Sequence, residues 1–562
     1  MASGSALSET TSSRFIFGSA GFERICQLKI LLIGAYCALI GRNLPIGPDG
    51  LAYLDVARAY LHHNWHIAIN GYWGPLYSWL LAIAMGIFHP GVNTEFAMAR
   101  AVNFLVFSAA LYTFSVFWRA LADWSRRTNA DETSIPDAAP HTWIALGYLL
   151  FIVNFAWFVD VVSPDVLVAA IVFAIAAFLF KLNDHLHSAI DYALLGVLLA
   201  VGYYAKAILC YFALFALVAT LVRSFRSRSL RRPITAILVF SALVAPFVIE
   251  LSLSLGHVTA GDSGKLNYAW FVNGPETKTW INSGGAPLPF YPGLALPGPV
   301  RAFRLPSLEG VTYAPWYDAA RFDQRAHPVF DPRAQLRRLA INIQSLKEEF
   351  LGAGAVLLVP LLILACYTPK ASLRNFASTW FCILPVIAVI GMYLLVHFVT
   401  RFVLGFSLVL WGAAFASVRV PSGLESLARR AMLVGALVFA ASTIPGVLHY
   451  LISPRQESVA RDVAIAEAIP HYGLTPGAAV ASIGGGQIAY WAQLARVSVV
   501  AEVWSIDSGQ FWSAPPATQQ AVLRSMADAG AQAVIWRADS DQACPPQWIS
   551  LPEHSGCMIS LH

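Results

Sequence analysis

Long apolar runs, separated by short arginine-rich or proline- and glycine-rich turns, constrain this chain more than any other feature. A bilayer core takes about 20 apolar residues of helix to cross. Runs of that order recur at 25–43, 97–119, 141–160, 164–182, 190–205, 208–223, 233–255, 351–368, 375–396, 401–418 and 430–452. Only 12% of the 562 residues are charged and 57% are hydrophobic, against about 25% charged in soluble domains. A water-soluble fold of this length is excluded, and an α-helical polytopic membrane protein of about eleven transmembrane helices is expected. The closely spaced pair 190–205 and 208–223 is where one long tilted helix would change the count.

A twelfth apolar stretch, 75–88, carries Pro75, Tyr77 and Trp79. Positive charge collects on the cytoplasmic side of membrane proteins. If 75–88 lies on the outer surface, then Arg126, Arg127, Lys181, the run from Arg223 to Arg232, Lys370, Arg374, Arg419, Arg429 and Arg430 all fall inside. If it spans, the cluster at 119–127 is pushed out. The first arrangement is expected: residues 1–24 form a cytoplasmic tail, 25–452 the transmembrane domain and 453–562 a soluble outer domain. The apolar run at 25–40 reads as a retained span, not a signal peptide. The basic clusters serve orientation, and no nucleic-acid partner is expected.

This topology sends the conspicuous polar residues outward, into the loops 44–96 and 256–350 and the turns near 160–166, 206 and 397–400. Asp49 follows Pro48 at the start of a helical pattern and occupies an N-cap position; Asp55, six residues on, lies on another face. The turn Val-Asp-Val-Val-Ser-Pro-Asp contributes Asp160 and Asp165, with Ser163 and Pro164 suited to a helix start. Lys206 interrupts an apolar stretch, where a lysine is expensive unless it snorkels or meets an anion. His397 and Arg401 sit at the outer end of another run. The long loop 256–350 holds Lys265, many aromatic residues and an amphipathic helix at 332–349. Trp270, Trp280 and Trp316 are candidates to stack on sugars.

Asp49, Tyr53, Asp55, Arg58, Leu61 and Trp65, followed by Gly-Pro-Leu-Tyr at 74–77, resemble the first periplasmic loop of GT-C glycosyltransferases. The branch is the one that includes the protein O-mannosyltransferases and the lipid A aminoarabinose transferase. Gly202 to Lys206 and Arg401-Phe402 are similar to further patterns of that family. The chain departs from it at Gly50, where the family has a second acidic residue, and at Trp73-Gly74, where it often has a lysine.

The resemblance implies a GT-C-like fold and inverting transfer of a sugar from a polyprenyl-phosphate donor to a glycan, lipid or protein acceptor. The setting it implies is the periplasmic face of a bacterial inner membrane. It makes Asp49 the general base, with Asp165 sharing or orienting. It makes Lys206 and Arg401 cations for the lipid phosphate, and Tyr53, Asp55 and Arg58 substrate-binding residues; Lys265 and His397 are further substrate-binding candidates from their place in the outer segments, Lys265 within reach of a phosphate. A divalent cation, Mg or Mn, between Asp49 and Asp165 is left open; no metal ligand is assigned.

In the segment 453–562, AAVASIG, VSVVAEVW and AVIWRA read as strands, with IAYWAQLA and TQQAVLRSMADAGAQ as helices. This alternation predicts a small α/β domain. The run Gly484-Gly485-Gly486 lacks the remainder of a dinucleotide fingerprint. Cys544 and Cys557, both in this segment, are candidates for a disulfide in an oxidising compartment. Two other classes fit the composition. A flippase requires charges deep inside several spans and repeated halves, and neither is present. A polysaccharide polymerase or ligase would use arginines of the long loop, here Arg301, Arg304 and Arg321.

Overall fold

The computed structural model describes residues 18–128, 133–184, 188–226, 230–274, 300–322, 327–351, 354–453, 459–537 and 543–561. The apolar runs form helices: α1 (Ser19–Gly41), α2 (Gly47–Leu61), α3 (Pro75–Phe88), α4 (Glu95–Arg127), α5 (Pro140–Phe155), α6 (Asp165–Asp184), α7 (Ala189–Ala205), α8 (Ile208–Arg226) and α9 (Arg231–Leu255). After the short helix α10 (Ser263–Phe271) come α11 (Pro332–Leu351), α12 (Ala355–Tyr367), α13 (Pro369–Ser378), α14 (Trp380–Leu395), α15 (Thr400–Ser417) and α16 (Glu425–Ile452).

Among the described residues, eight helices are long and apolar enough to cross a membrane. The count is nine if the bent pair α12 and α13 is one span, and α3, α7 and α14 are shorter apolar helices, against the eleven spans expected. The run expected at 375–396 begins later than anticipated. Residues 369–378, which include Lys370 and Arg374, form an amphipathic helix turned 112° from α12. Helix α3 occupies the residues expected of a non-spanning helix. At 14 residues it is about 21 Å long, short of a bilayer core, and it packs along α2. Lys206, in extended backbone (φ −160°), separates α7 from α8, so the closely spaced pair is two helices.

Polar contacts sort the loops to two ends of the bundle. At one end Arg419 donates to Ser125 and to the Thr128 carbonyl, Arg429 to the Ala138 carbonyl, and Arg126 pairs with Asp123 and Asp137. All three arginines belong to the loops expected inside. Helix α4 has 33 residues and is about 50 Å long, so its first turns stand beyond an apolar core at the other end. There they meet α2, α3 and the C-terminal domain.

That domain contains a six-stranded sheet built from β1 (Ala302–Arg304), β2 (Ala479–Ile483), β3 (Ser498–Val503), β4 (Ala533–Trp536), β5 (Ile549–Ser550) and β6 (Cys557–Ser560). The order is β1-β3-β2-β4-β6-β5, with β3, β2 and β4 parallel and the other pairings antiparallel. The edge strand β1 comes from the long loop between α9 and α11. The sheet is therefore not confined to 453–562, and the loop is fastened to the domain by pairings such as Phe303 with Glu502. Cys544 and Cys557 are joined by a disulfide. The Gly486 amide donates to the Glu502 carboxylate at 2.6 Å, so an internal carboxylate occupies the glycine loop.

Candidate active site at one end of the helix bundle

Four of the residues singled out from sequence meet at one place. Asp49 lies in the first turn of α2, where a carboxylate complements the helix dipole. It is not the N-cap: Ile46 holds that position and no side chain caps the helix. The Asp49 carboxylate turns instead to Arg401, the second residue of α15, whose Nη2 is 2.7 Å away. The same guanidinium places Nε 3.5 Å from Asp165, the first residue of α6. Asp165 accepts a hydrogen bond of 2.9 Å from Lys206 Nζ and one of 3.1 Å from Ser163 Oγ. The Lys206 ammonium also lies 3.6 Å from the centre of the Phe402 ring.

The result is an alternating chain, Asp49–Arg401–Asp165–Lys206, drawn from four separate segments. The side chain of Asp165 is 4% exposed, whereas those of Asp49, Arg401 and Lys206 are 24%, 28% and 24% exposed. Asp165 is thus the buried anchor that holds both cations. One carboxylate and two cations remain within reach of a ligand.

Tyr53, one helical turn past Asp49, is buried against Trp73 and Tyr77, with ring centres 4.9 and 5.2 Å away. Burial, reinforced by the charges of Asp49 and Asp165, raises its phenol well above the usual tyrosine range. The hydroxyl stays protonated beside the carboxylates.

Other candidates lie elsewhere. Asp55 and Arg58 form a buried bracket rather than a surface for substrate. Arg58 pairs with Asp55 at 2.9 Å and with Glu95, and Gln493 of the C-terminal domain donates to Glu95 at 3.2 Å. Asp55 also accepts the amide and hydroxyl of Thr312 from the long loop, at 2.8 and 3.0 Å. Burial pushes the Asp55 carboxyl up to about 6, against the opposing pull of Arg58 and the Thr312 hydrogen bonds. Glu95, Thr312 and Gln493 carried no sequence signal that joins them to Arg58.

Lys265 is 43% exposed, 4.0 Å from Asp262, a carboxylate that also accepts from Thr259 and contacts His257. His397 stacks on Phe271 at 3.7 Å and bonds Arg338 of α11 at 2.6 Å. Trp270 and Trp316 are 1% and 8% exposed and pack with Tyr72 and Trp73. They belong to a buried aromatic cluster and offer no open face to a sugar. Trp280 lies outside the described residues. Arg301 pairs with Asp507 at 2.9 Å, and Arg321 bonds Ser254 and stands 3.9 Å from Asp318. Both are engaged away from the four-residue chain.

The donor set does not fit a divalent cation between Asp49 and Asp165. The Arg401 guanidinium already stands between the two carboxylates. Among the described residues no group of three or more His, Cys, Asp or Glu side chains converges as a metal would require.

The glycines at the two departures from the GT-C pattern, Gly50 and Gly74, are closely packed. A Cβ at Gly50 would lie 2.9 Å from Val162 Cβ, and one at Gly74 would lie 2.6 Å from the Ala205 carbonyl oxygen. Neither glycine has room for a side chain unless its neighbours shift.

No family model and no curated protein matches the chain. Solved structures do. The oligosaccharyltransferase of Archaeoglobus fulgidus in its apo form is 12% identical, over 91% of this chain and 69% of that one, with a TM-score of 0.50. ArnT from Cupriavidus metallidurans bound to undecaprenyl phosphate is a more distant likeness in shape, with a TM-score of 0.39, 14% identity and coverage of 96% and 98%. At such identities the likeness is one of fold. The chain shares with that oligosaccharyltransferase a fold of apolar helices and a small sheet region.

Proposed function

We propose that this protein is a membrane glycosyltransferase that moves a sugar from a polyprenyl-phosphate donor to a hydroxyl or amine of a glycan, lipid or protein acceptor. The observation that carries the reading is the convergence of Asp49, Asp165, Lys206 and Arg401 from four segments at one end of the bundle. A fold shared with an oligosaccharyltransferase is consistent with it, although fold alone would leave the chemistry open.

In this reading the donor phosphate lies against Lys206 and Arg401, and its lipid tail rests between helices. Charge-assisted bonds to phosphate are stronger than neutral ones. The incoming phosphate therefore competes with Asp49 for Arg401 and leaves the carboxylate to take a proton from the acceptor. The acceptor oxygen or nitrogen then attacks the anomeric carbon as the bond from that carbon to the phosphate oxygen breaks. The proton goes to Asp49, and the polyprenyl phosphate departs with its new charge neutralised by the two cations. A single displacement inverts the anomeric configuration. Asp165 holds Lys206 and Arg401 in place throughout. The disulfide favours an oxidising compartment, in keeping with a site on the periplasmic face of a bacterial inner membrane.

The test is a panel of radiolabelled polyprenyl-phosphate sugars offered to the purified protein with a membrane lipid extract. Transfer or hydrolysis of one donor, lost in Lys206→Met of unchanged fold, is expected. Inertness toward every donor would overturn the reading.

A further inference from the structure

Helix α4 holds both segments that deliver the acidic residues, through side chains on one face of its outer turns. Asn103 is 5% exposed and spends both amide hydrogens on the turn ahead of Asp165, donating to the Val159 carbonyl at 3.0 Å and the Val161 carbonyl at 2.9 Å. Its oxygen accepts from Tyr77 of α3. Arg100, three residues earlier and so on the same helix face, is 1% exposed. It donates to the Leu44 and Pro45 carbonyls at 3.1 and 2.9 Å, immediately before the helix of Asp49. The two segments touch at Gly50, whose absent side chain admits Val162. One helix face therefore anchors the approach to Asp49 and the approach to Asp165, and a glycine sets how closely they meet.

We infer that Asn103 and Arg100 are positioning residues, which with the Gly50–Val162 contact fix the separation of the Asp49 and Asp165 carboxylates. Buried carbonyls need partners, and an asparagine has two donors and an acceptor to offer. Here both donors go to the turn ahead of Asp165 and the acceptor to Tyr77 of α3. None of these groups touches the reacting atoms, so the effect passes through the distance of Asp49 from the phosphate site that Asp165 and its cations form. The inference rests on the transferase reading.

The experiment compares wild type with Asn103→Asp, which keeps the shape and the acceptor for Tyr77 but removes both donors. A second variant, Gly50→Ala, presses the same turn from the opposite side without deleting a hydrogen bond. A control, Asn375→Asp, alters an asparagine of similar burial at the other end of the bundle, where it bonds the Ser417 carbonyl at 3.3 Å. Turnover is scored as kcat per folded molecule with the donor that wild type uses. A misplacement on the order of 1 Å costs about a hundredfold, so kcat is expected to fall at least tenfold in both test variants. Donor KM should stay within about threefold in both, while the control loses melting temperature without losing kcat. An active wild type with either folded test variant within twofold of its kcat, or with the control falling equally, would overturn the inference alone. A wild type inert toward every donor would overturn the transferase reading and the inference with it.

Discussion

The bracket around Arg58 makes a sharp prediction about how the C-terminal sheet region is held against α2. Arg58 is the only cation that the described salt bridges give to Asp55 and Glu95, two carboxylates each 2% exposed. Arg58→Leu leaves both buried without a counter-charge, and removing one partner of a buried pair costs about 3–5 kcal/mol. At about 1.4 kcal/mol per tenfold, local opening becomes about a hundredfold or more frequent. Hydrogen exchange by mass spectrometry reads this directly. Peptides covering 47–61 and 486–496 should exchange faster by that factor at neutral pH, with the peptides of α5 and α6 unchanged. The difference should narrow at pH 5, because Asp55, pushed up to about 6, then takes a proton and one buried charge disappears. Adding Glu95→Gln to Arg58→Leu should recover part of the loss. Exchange within about threefold of wild type in Arg58→Leu would refute the reasoning.

Three further outcomes follow from the same geometry. Asp55 has a folded-state pKa above its ordinary value of 3.8, so its stabilising contribution is complete below about pH 4 and lost as the pH rises through about 6. Melting temperature should therefore fall less steeply across that window in Asp55→Asn than in wild type; an identical slope would contradict the assignment. Gly74→Ala would drive a Cβ into the Ala205 and Tyr204 carbonyls beside Lys206, so donor KM should rise together with a lower melting temperature, and retention of both would count against the close packing there. Cys544→Ser opens a disulfide closing a loop of 13 residues and should cost about 3 kcal/mol by the chain-entropy account, read as faster proteolysis of the C-terminal domain, with no change in rate speaking against it.

The four residues of the candidate site were legible as candidates for one physical reason. An ionisable group at the end of an apolar run is expensive unless it is paired or used, and Asp49, Asp165, Lys206 and Arg401 each stand at such an end. What the sequence could not show is that they answer one another. Asp49 and Arg401 are 352 positions apart, and a single chain records no pairing at that distance. The same limit explains Asp55 and Arg58. Their spacing is that of an ordinary helical pair, while the partners that redefine them, Glu95, Thr312 and Gln493, lie on three other segments. Trp270 and Trp316 show a different ambiguity, since an aromatic residue in an outer loop suits a sugar platform and a buried cluster equally until the fold decides. Strand β1 is three residues long and too short to carry a period-two signal. Helix α13 was missed because its polar face interrupts the hydropathy pattern, although Pro369 marks where α12 ends. The strands β2, β3 and β4 were legible because each is a short β-branched run between turns.

The central claim is that the carboxylate of Asp49 takes the acceptor's proton while Asp165 holds the cations of the phosphate site. Single-turnover transfer, with the donor preloaded and the acceptor added, measures this most directly in Asp49→Asn and Asp165→Asn. Loss of a general base costs about 10²–10⁴-fold. The account predicts a fall of that size in the chemical step of Asp49→Asn with donor affinity retained, and weakened donor affinity in Asp165→Asn. A chemical step in Asp49→Asn within about threefold of wild type would contradict it.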